Sequence, residues 1–287
     1  MQHRLLFSFG PLTLLAGALA LSTVAKADSF GFTSAGPSNY ALLSSGGMDL
    51  NVASITGNVA DAGALDMSGT ITVSGFVEYT GTLANTSSFT TPTLVSPSSL
   101  AGAISNAGSV YSTDAALATT VSTTFTGAAS SPVVLSGGAG QNVLDLSFLD
   151  LSGTTLTISS GAASTFIINV GSGGMNLFNS SILLAGGITP GNVLFDLAGG
   201  GDFASSGLGT WGVNGIVLAA NSSITTDGTG TVCGELIGDG ISITGPFNLG
   251  CSASAGGSTP EPATSGLVAF GLIAGGFLCR KFRASRA

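Results

Sequence analysis

From "TITVS" at Thr70 to "ISITG" at Ile241, the chain is a succession of short β-rich runs broken by Gly, Ser, Asp and Asn turns. In "TLTIS", Leu156 and Ile158 fall on one side and Thr155, Thr157 and Ser159 on the other; "TITVS" repeats the pattern with Ile71 and Val73 against Thr70 and Thr72. Period-two alternation is the mark of a strand with one buried side. "NVLDLSFLD", "STFIINV", "SSILLAGG", "NVLFDLAGG", "NGIVLAANSSITT", "TVCGELIGDG" and "GISITG" continue the series. Many short strands with tight glycine turns suit an all-β fold, specifically a parallel β-solenoid in which each coil covers the exposed face of its neighbour. Strand spacing alone also permits a β-sandwich.

One stretch departs from this pattern. After Pro97, with Ser98 or Ser99 as N-cap, Leu100, Ile104, Ala107 and Tyr111 recur at helical spacing. Asp114 could cap a second helix bearing Leu117, Val121 and Phe125. A helix lying along a solenoid would cover one sheet face and turn its own apolar stripe into core.

Charge narrows the chemistry. Of 14 acidic residues only Glu261 lies beyond Ser258, while all six basic residues lie at the ends: Arg4, Lys26, Arg280, Lys281, Arg283 and Arg286. A body that is acidic throughout and has no Lys or Arg cannot neutralise phosphates, which excludes nucleic acid as a partner. The single histidine, His3, lies in the N-terminal leader, so the body offers no Ser-His-Asp or Cys-His machinery and no His-ligated zinc site. What survives is carboxylate-only chemistry, with Asp145 and Asp150, or Asp196 and Asp202, as candidate glycosidase pairs. The stronger competing reading is that these are isolated Asp residues beside Gly and Ser in turns of a soluble domain. No catalytic set and no metal site is assigned. Calcium is the one weak cofactor candidate, at the oxygen-rich turns Gly199 to Phe203 and Thr226 to Gly230, which lack the nine-residue period of calcium-binding coils.

The ends carry targeting information. Arg4, the apolar stretch Leu5 to Leu21 and the Ala25-Lys26-Ala27 site form an export signal, with the mature chain starting at Asp28. In an oxidising compartment Cys233 and Cys251 could form a disulfide, worth roughly 3 kcal/mol on the loop-entropy model, or remain two buried thiols. Ala263 to Cys279 is uncharged and long enough as a helix, at about 25 Å, just to span a bilayer. The basic cluster Arg280, Lys281, Arg283 and Arg286 would hold its far end on the cytoplasmic side. The expected organisation is a signal peptide (1–27), a solenoid body (28–250), a Gly/Ser/Pro linker (251–262) and a transmembrane helix with basic tail (263–287).

Pro260-Glu261-Pro262, the apolar helix and the terminal basic cluster together resemble the PEP-CTERM sorting signal of exported bacterial proteins. That resemblance implies a Gram-negative bacterium, an exosortase-type processing enzyme, transient residence in the inner membrane, and delivery to a cell surface rich in exopolysaccharide. The body, through "NYALLSSGGMDLNVASITGNVADAG", the helical segment and "NGIVLAANSSITTDGTGTVCGELIGDGISITG", is similar to the choice-of-anchor A and ice-binding-like families, a resemblance that implies a right-handed parallel β-solenoid with an accompanying helix. Neither family brings a catalytic set. The leading expectation is a non-enzymatic surface or matrix protein whose partner is extracellular polysaccharide. The alternative is an ice-binding protein using the outward pairs Thr70/Thr72, Thr155/Thr157 and Ser242/Thr244; a carboxylate-only glycoside hydrolase comes third.

Overall fold

A computed structural model describes residues 30–32, 39–85, 88–90, 94–95, 99–205 and 209–250. The leader with Ala25 and Ala27, the linker with Pro260, Glu261 and Pro262, and the apolar tail with Arg280, Lys281, Arg283 and Arg286 lie outside these residues.

A first block of strands runs β1 (Leu42–Ile55), β2 (Val59–Asp61), β3 (Ala64–Met67), β4 (Thr70–Val73), β5 (Val77–Tyr79), β6 (Leu83–Asn85), β7 (Ser88–Thr90) and β8 (Leu94–Val95). The helix α1 (Leu100–Asp114) follows. A second block runs β9 (Ala128–Ala129), β10 (Val133–Ser136), β11 (Gln141–Leu146), β12 (Leu149–Ser152), β13 (Thr155–Ser159), β14 (Thr165–Val170), β15 (Met175–Phe178), β16 (Ser181–Ala185), β17 (Val193–Asp196), β18 (Phe203–Ser205), β19 (Thr210–Thr226) and β20 (Thr229–Leu249).

Successive coils stack in parallel register to form a β-solenoid with three faces. The long strand β1 shows the rule: its start pairs with β2, its middle with β3 and its end with β4. The same three-step order recurs as β11-β12-β13 stacks on β14-β15-β16. Every pairing of this kind is parallel, unlike the antiparallel hairpins of a sandwich: one coil cannot bury its faces alone, and stacking supplies the missing neighbour.

Coil order along the axis is not chain order. The first block grows away from β1 in one direction. Then α1 carries the chain back along the stack, and the second block grows toward β1 until β20 pairs with it from Leu42↔Leu236 to Ile55↔Leu249. The first and last coils therefore meet in mid-stack, where Thr56 N–H donates to Leu249 O at 2.7 Å. Inward ladders fill the interior: Leu42, Leu236, Val217, Phe195, Ile168 and Leu144 succeed one another across six coils, all of them buried.

Glycine is required where coils turn closest. A Cβ on Gly63 would lie 2.4 Å from Gly46 O, and one on Gly81 would lie 1.9 Å from Gly63 O. No side chain can occupy such contacts without shifting the backbone, so this corner is a column of glycines.

The helix differs from the sequence expectation in its stripe. Leu100, Ala103, Ala107, Val110 and Asp114 are buried, whereas Ile104 and Tyr111 lie at the flank. Tyr111 reaches over that flank and donates its hydroxyl hydrogen bond to Ala198 O at 2.9 Å. Ser99 occupies the N-cap position but makes no side-chain cap; its Oγ pairs with the Tyr40 hydroxyl at 2.9 Å instead. The second helix does not form. Residues 115–117 make a turn and the chain then runs without helix to Phe125, consistent with the low helix propensity of its Ser/Thr-rich sequence. This segment closes the solenoid's end: the Thr120 and Val121 N–H groups both donate to Val143 O, at 2.9 and 3.0 Å, and Val143 N–H donates to Thr120 Oγ1 at 2.9 Å. The outer edge of β11 is thereby paired, a standard protection against edge-to-edge association.

Candidate functional site

The three faces present different chemistry. On the first, formed by β11, β14, β17, the middles of β19 and β20, the start of β1 and β2, the outward residues are Val143, Ile167, Leu194, Ile216, Leu218, Ile237, Leu43 and Ala60. All are buried beneath Leu100, Ala103, Ala107 and Val110 of α1. This helix face is a second core, and each fully buried Leu or Ile there contributes about 1.5–3 kcal/mol of transfer free energy.

On the second face, β3, the middle of β1, the later parts of β20 and β19, and then β15 and β12 put Asp66, Asp49, Ser242, Thr225, Asn176 and Asp150 outward. Asp66 lies in register beside Asp49, and Phe178 stands 44% exposed nearby along β15. Like charges in adjacent strands and an interrupting aromatic make this face acidic and uneven.

The third face carries no charge among the described residues. Thr72, Ser54 and Asn248 follow one another in register, and so do Thr231, Gly212, Ser181 and Thr155. The two runs join where Gly250 N–H donates to Val232 O at 3.0 Å, which stacks the last turn of β20 on its first. At a strand spacing of about 4.8 Å the combined column is about 29 Å long. Beside it run Thr70, Val52, Pro246, Thr229 and Thr210, and on the far side Val134, Thr157 and Leu183. Three of the most exposed aliphatic side chains of the described residues are here: Val134 at 62%, Leu183 at 43% and Val52 at 39%. A shallow trough of about 430 Å³ runs among Thr70, Thr72, Val52, Ser54, Thr229 and Thr231. The surface thus mixes hydroxyls and methyls, open to solvent and free of ions.

Aromatic packing stiffens this face from below. Trp211 stacks on Phe247 at 5.9 Å between ring centroids and meets Phe203 edge-on at 5.6 Å. Its indole N–H donates to Asp227 O at 2.9 Å. Gly230 lies over the indole, and a Cβ there would come within 2.2 Å of the ring. The residue between Thr229 and Thr231 therefore has to be glycine for both threonines to stand over a tryptophan.

Of the six hydroxyl residues singled out in the sequence, Thr70, Thr72, Thr155 and Thr157 share this uncharged face, in different halves of the stack. Ser242 does not: it stands on the acidic face between Asp49 and Thr225. Thr244 sits at the corner beyond it and donates to Thr226 O at 3.3 Å. Sequence reasoning missed Thr210, Thr229, Thr231, Ser54 and Ser181. "TGT" at Thr229 was legible as a T-x-T step, but glycine in the inward position hid the alternation.

The candidate acid pairs are separated by the fold. Asp145 lies at the end of the helix face, accepting from Asn169 Nδ2 at 2.9 Å and from the Thr119 hydroxyl. Asp150 stands on the acidic face beside Asn176. Asp196 is fully buried under α1, whereas Asp202 is exposed at a corner and accepts from Ser223 N–H at 2.8 Å. The acidic neighbour of Asp196 is Asp114 of α1: burial first, and that carboxylate second, push the Asp196 pKa up to about 8. Asp61 and Glu78 are buried as well. The expectation of turns for the four candidate aspartates is corrected at Asp145, Asp150 and Asp196, which lie in β11, β12 and β17. Glu78 accepts from the Tyr40 hydroxyl at 2.7 Å, and burial of Tyr40 raises its pKa to about 12. Among the described residues no group of three or more His, Cys, Asp or Glu side chains is placed to hold a metal ion. Neither Gly199 to Phe203 nor Thr226 to Gly230 gathers such a set. Cys233 is disulfide-bonded; Cys251, its expected partner, lies outside the described residues.

Residues 10–249 match a family model described as "Putative Ice-binding-like adhesive domain". A search of curated protein sequences gives no match. Among solved structures, a glycosylated ice-binding protein from an Arctic yeast aligns with a TM-score of 0.50 at 17% identity, over 79% of this chain and 94% of that one. An ice-binding protein from the Antarctic ascomycete Antarctomyces psychrotrophicus aligns with a TM-score of 0.46 at 18% identity, over 76% of this chain and 97% of that one.

Proposed function

The chain belongs to the family of ice-binding-like adhesive domains, and from that premise we propose that it is a non-enzymatic exported protein that binds ice through its uncharged face. The observation that carries this reading is the hydroxyl-rich column from Thr72 to Thr155, interrupted only at Asn248 and Gly212 and flanked by Thr70, Thr229, Thr210 and Thr157. A surface that orders water on a lattice needs regular spacing, rigidity and no ion to hold a competing hydration shell. The solenoid supplies the spacing, the Phe203-Trp211-Phe247 stack the rigidity, and the absence of Asp and Glu the third. The helix face is covered, and the acidic face carries Asp49, Asp66 and Asp150.

The test is ice-recrystallisation inhibition and thermal hysteresis by the purified protein. Activity that is lost on Thr231→Tyr with the fold intact supports the reading; absence of activity in the unsubstituted protein overturns it. The exposed Val134, Leu183 and Val52 favour a second reading, attachment of the same face to extracellular polysaccharide. In that case polysaccharide binding, and not ice activity, would respond to Leu183→Asp.

Delivery to the surface is part of the proposal. Cleavage after Ala27 would export the body, and Pro260-Glu261-Pro262 with the apolar helix and Arg280, Lys281, Arg283 and Arg286 would hand it to an exosortase-type enzyme. Support comes from the adhesive character of the family. Among the described residues no helix is long and apolar enough to cross a membrane.

A further inference from the structure

A hollow of about 320 Å³ opens beside α1, where the first and last coils meet. Ile104 of α1 and Ala220 of β19, both partly exposed, stand at its sides, over a floor of Leu43, Ala107 and Ile237 that otherwise belongs to the helix-face core. The two flanks of the helix are treated differently. On one, Phe30 and Phe32 are buried against the helix-face core, and Asn106 Nδ2 donates to Gly31 O at 3.4 Å. On the other, Gly108 faces the hollow, and a Cβ built on it would meet nothing within 4 Å. At the mouth stands Asp239, whose Oδ1 accepts from Ser45 Oγ at 2.6 Å across the joint between coils.

The volume falls at the lower end of the range for small-molecule sites, and an apolar floor with a few convergent polar groups, here Ser45, Asn221 and Asp239, is the usual composition of such a site. The charge also selects the ligand. Asp239 sits in a body without Lys or Arg, so nothing in the protein's own field offsets its carboxylate, and an anionic amphipath such as a fatty acid is repelled. We propose that this hollow binds a small cationic amphipath, its aliphatic chain between Ile104 and Ala220 over Leu43 and Ile237 and its ammonium head on Asp239. The site is distinct from the uncharged face and does not depend on the reading given for it.

Calorimetric titration with n-octylammonium chloride, below its micelle concentration, tests this on the purified chain, with octanoate as the anionic comparator. The expected result is a single saturable site for octylammonium and at least about tenfold weaker binding of octanoate, the difference one charge-assisted contact makes. Asp239→Asn should narrow that discrimination to what the rest of the acidic body contributes. Gly108→Leu should abolish binding while folding normally, because leucine is favoured over glycine inside a helix and here grows into open space; Gly108→Ala should still bind. Many weak sites per chain would mean general adsorption to an acidic body. That result, no binding at all, or binding untouched by Gly108→Leu in a protein with an unchanged melting curve, would overturn the assignment.

Discussion

The helix face and the uncharged face are built from the same coils by the same alternation, yet one became core and the other surface. The outward positions of β14, β17 and β19 on the helix face carry Ile167, Leu194 and Ile216. The outward positions of β13, β16 and β20 on the uncharged face carry Thr155, Ser181 and Thr231. A strand does not decide its own exposure: the outward residue type decides whether a covering element is needed, and α1 covers the face that needs it. The uncharged face keeps enough methyl surface to favour contact and enough hydroxyl surface to stay soluble alone.

This contrast can be broken deliberately. The largest effect is expected from Leu194→Asp, which puts an unpaired carboxylate beneath α1. A loss of about 3–5 kcal/mol should appear as a collapse of the urea midpoint. The equivalent change on the open side, Leu183→Asp, should leave the midpoint within about 0.5 kcal/mol, since Leu183 is already exposed. Equal losses from the two would remove the distinction between the faces.

Next comes Gly230→Val, which would drive its Cβ into Trp211. Overpacking there should cost about 1–3 kcal/mol, and chemical shifts of the neighbouring Thr229 and Thr231 should move with it. If they stay in place, the aromatic stack does not support the face.

An effect of a different kind, read as a slope against pH rather than as a loss at one pH, concerns the contact of α1 with its face. Asp196 has a folded pKa of about 8 against an ordinary 3.8. Both states are protonated below about pH 4, and there the contribution is complete. As pH rises, the unfolded chain ionises first and stability falls, by up to about 1.4 kcal/mol per pH unit, levelling off once Asp196 itself ionises near 8. Asp61, also raised by burial, adds in the same direction. Asp196→Asn should flatten this slope, as measured by melts between pH 4 and 9; a slope unchanged in the variant would assign it to general repulsion within an acidic body.

Much of the architecture was legible. Alternation at Leu156/Ile158 and Ile71/Val73 identified strands with a buried side, and Leu100 and Ala107 identified a helix that would cover a face. The helix stripe was misjudged because Tyr111 is apolar in pattern but uses its hydroxyl at the rim, leaving Val110 to point inward. Apolar spacing at Leu117, Val121 and Phe125 suggested a helix where the chain runs as a cap, since Val121 and Phe125 are needed by the core at the solenoid's end whatever the backbone does.

The face itself was only half legible, for a topological reason. Ser54 and Asn248 are neighbours in register though far apart in sequence, because the coil stack closes by joining the first coil to the last. No local pattern reports that closure. Ser242 looks like Thr72 in sequence and lands on another face, since which face a strand joins depends on its place in the three-step coil.

The central claim is that one face, and not the acidic surface as a whole, makes the contact with ice. Thermal hysteresis of Thr231→Tyr beside Thr225→Tyr tests it most directly, because the two threonines are both exposed and stand on different faces of neighbouring strands. The account predicts that Thr231→Tyr loses activity while Thr225→Tyr retains it, with equal melting temperatures. Loss in Thr225→Tyr alone, or an equal loss in both, would contradict it.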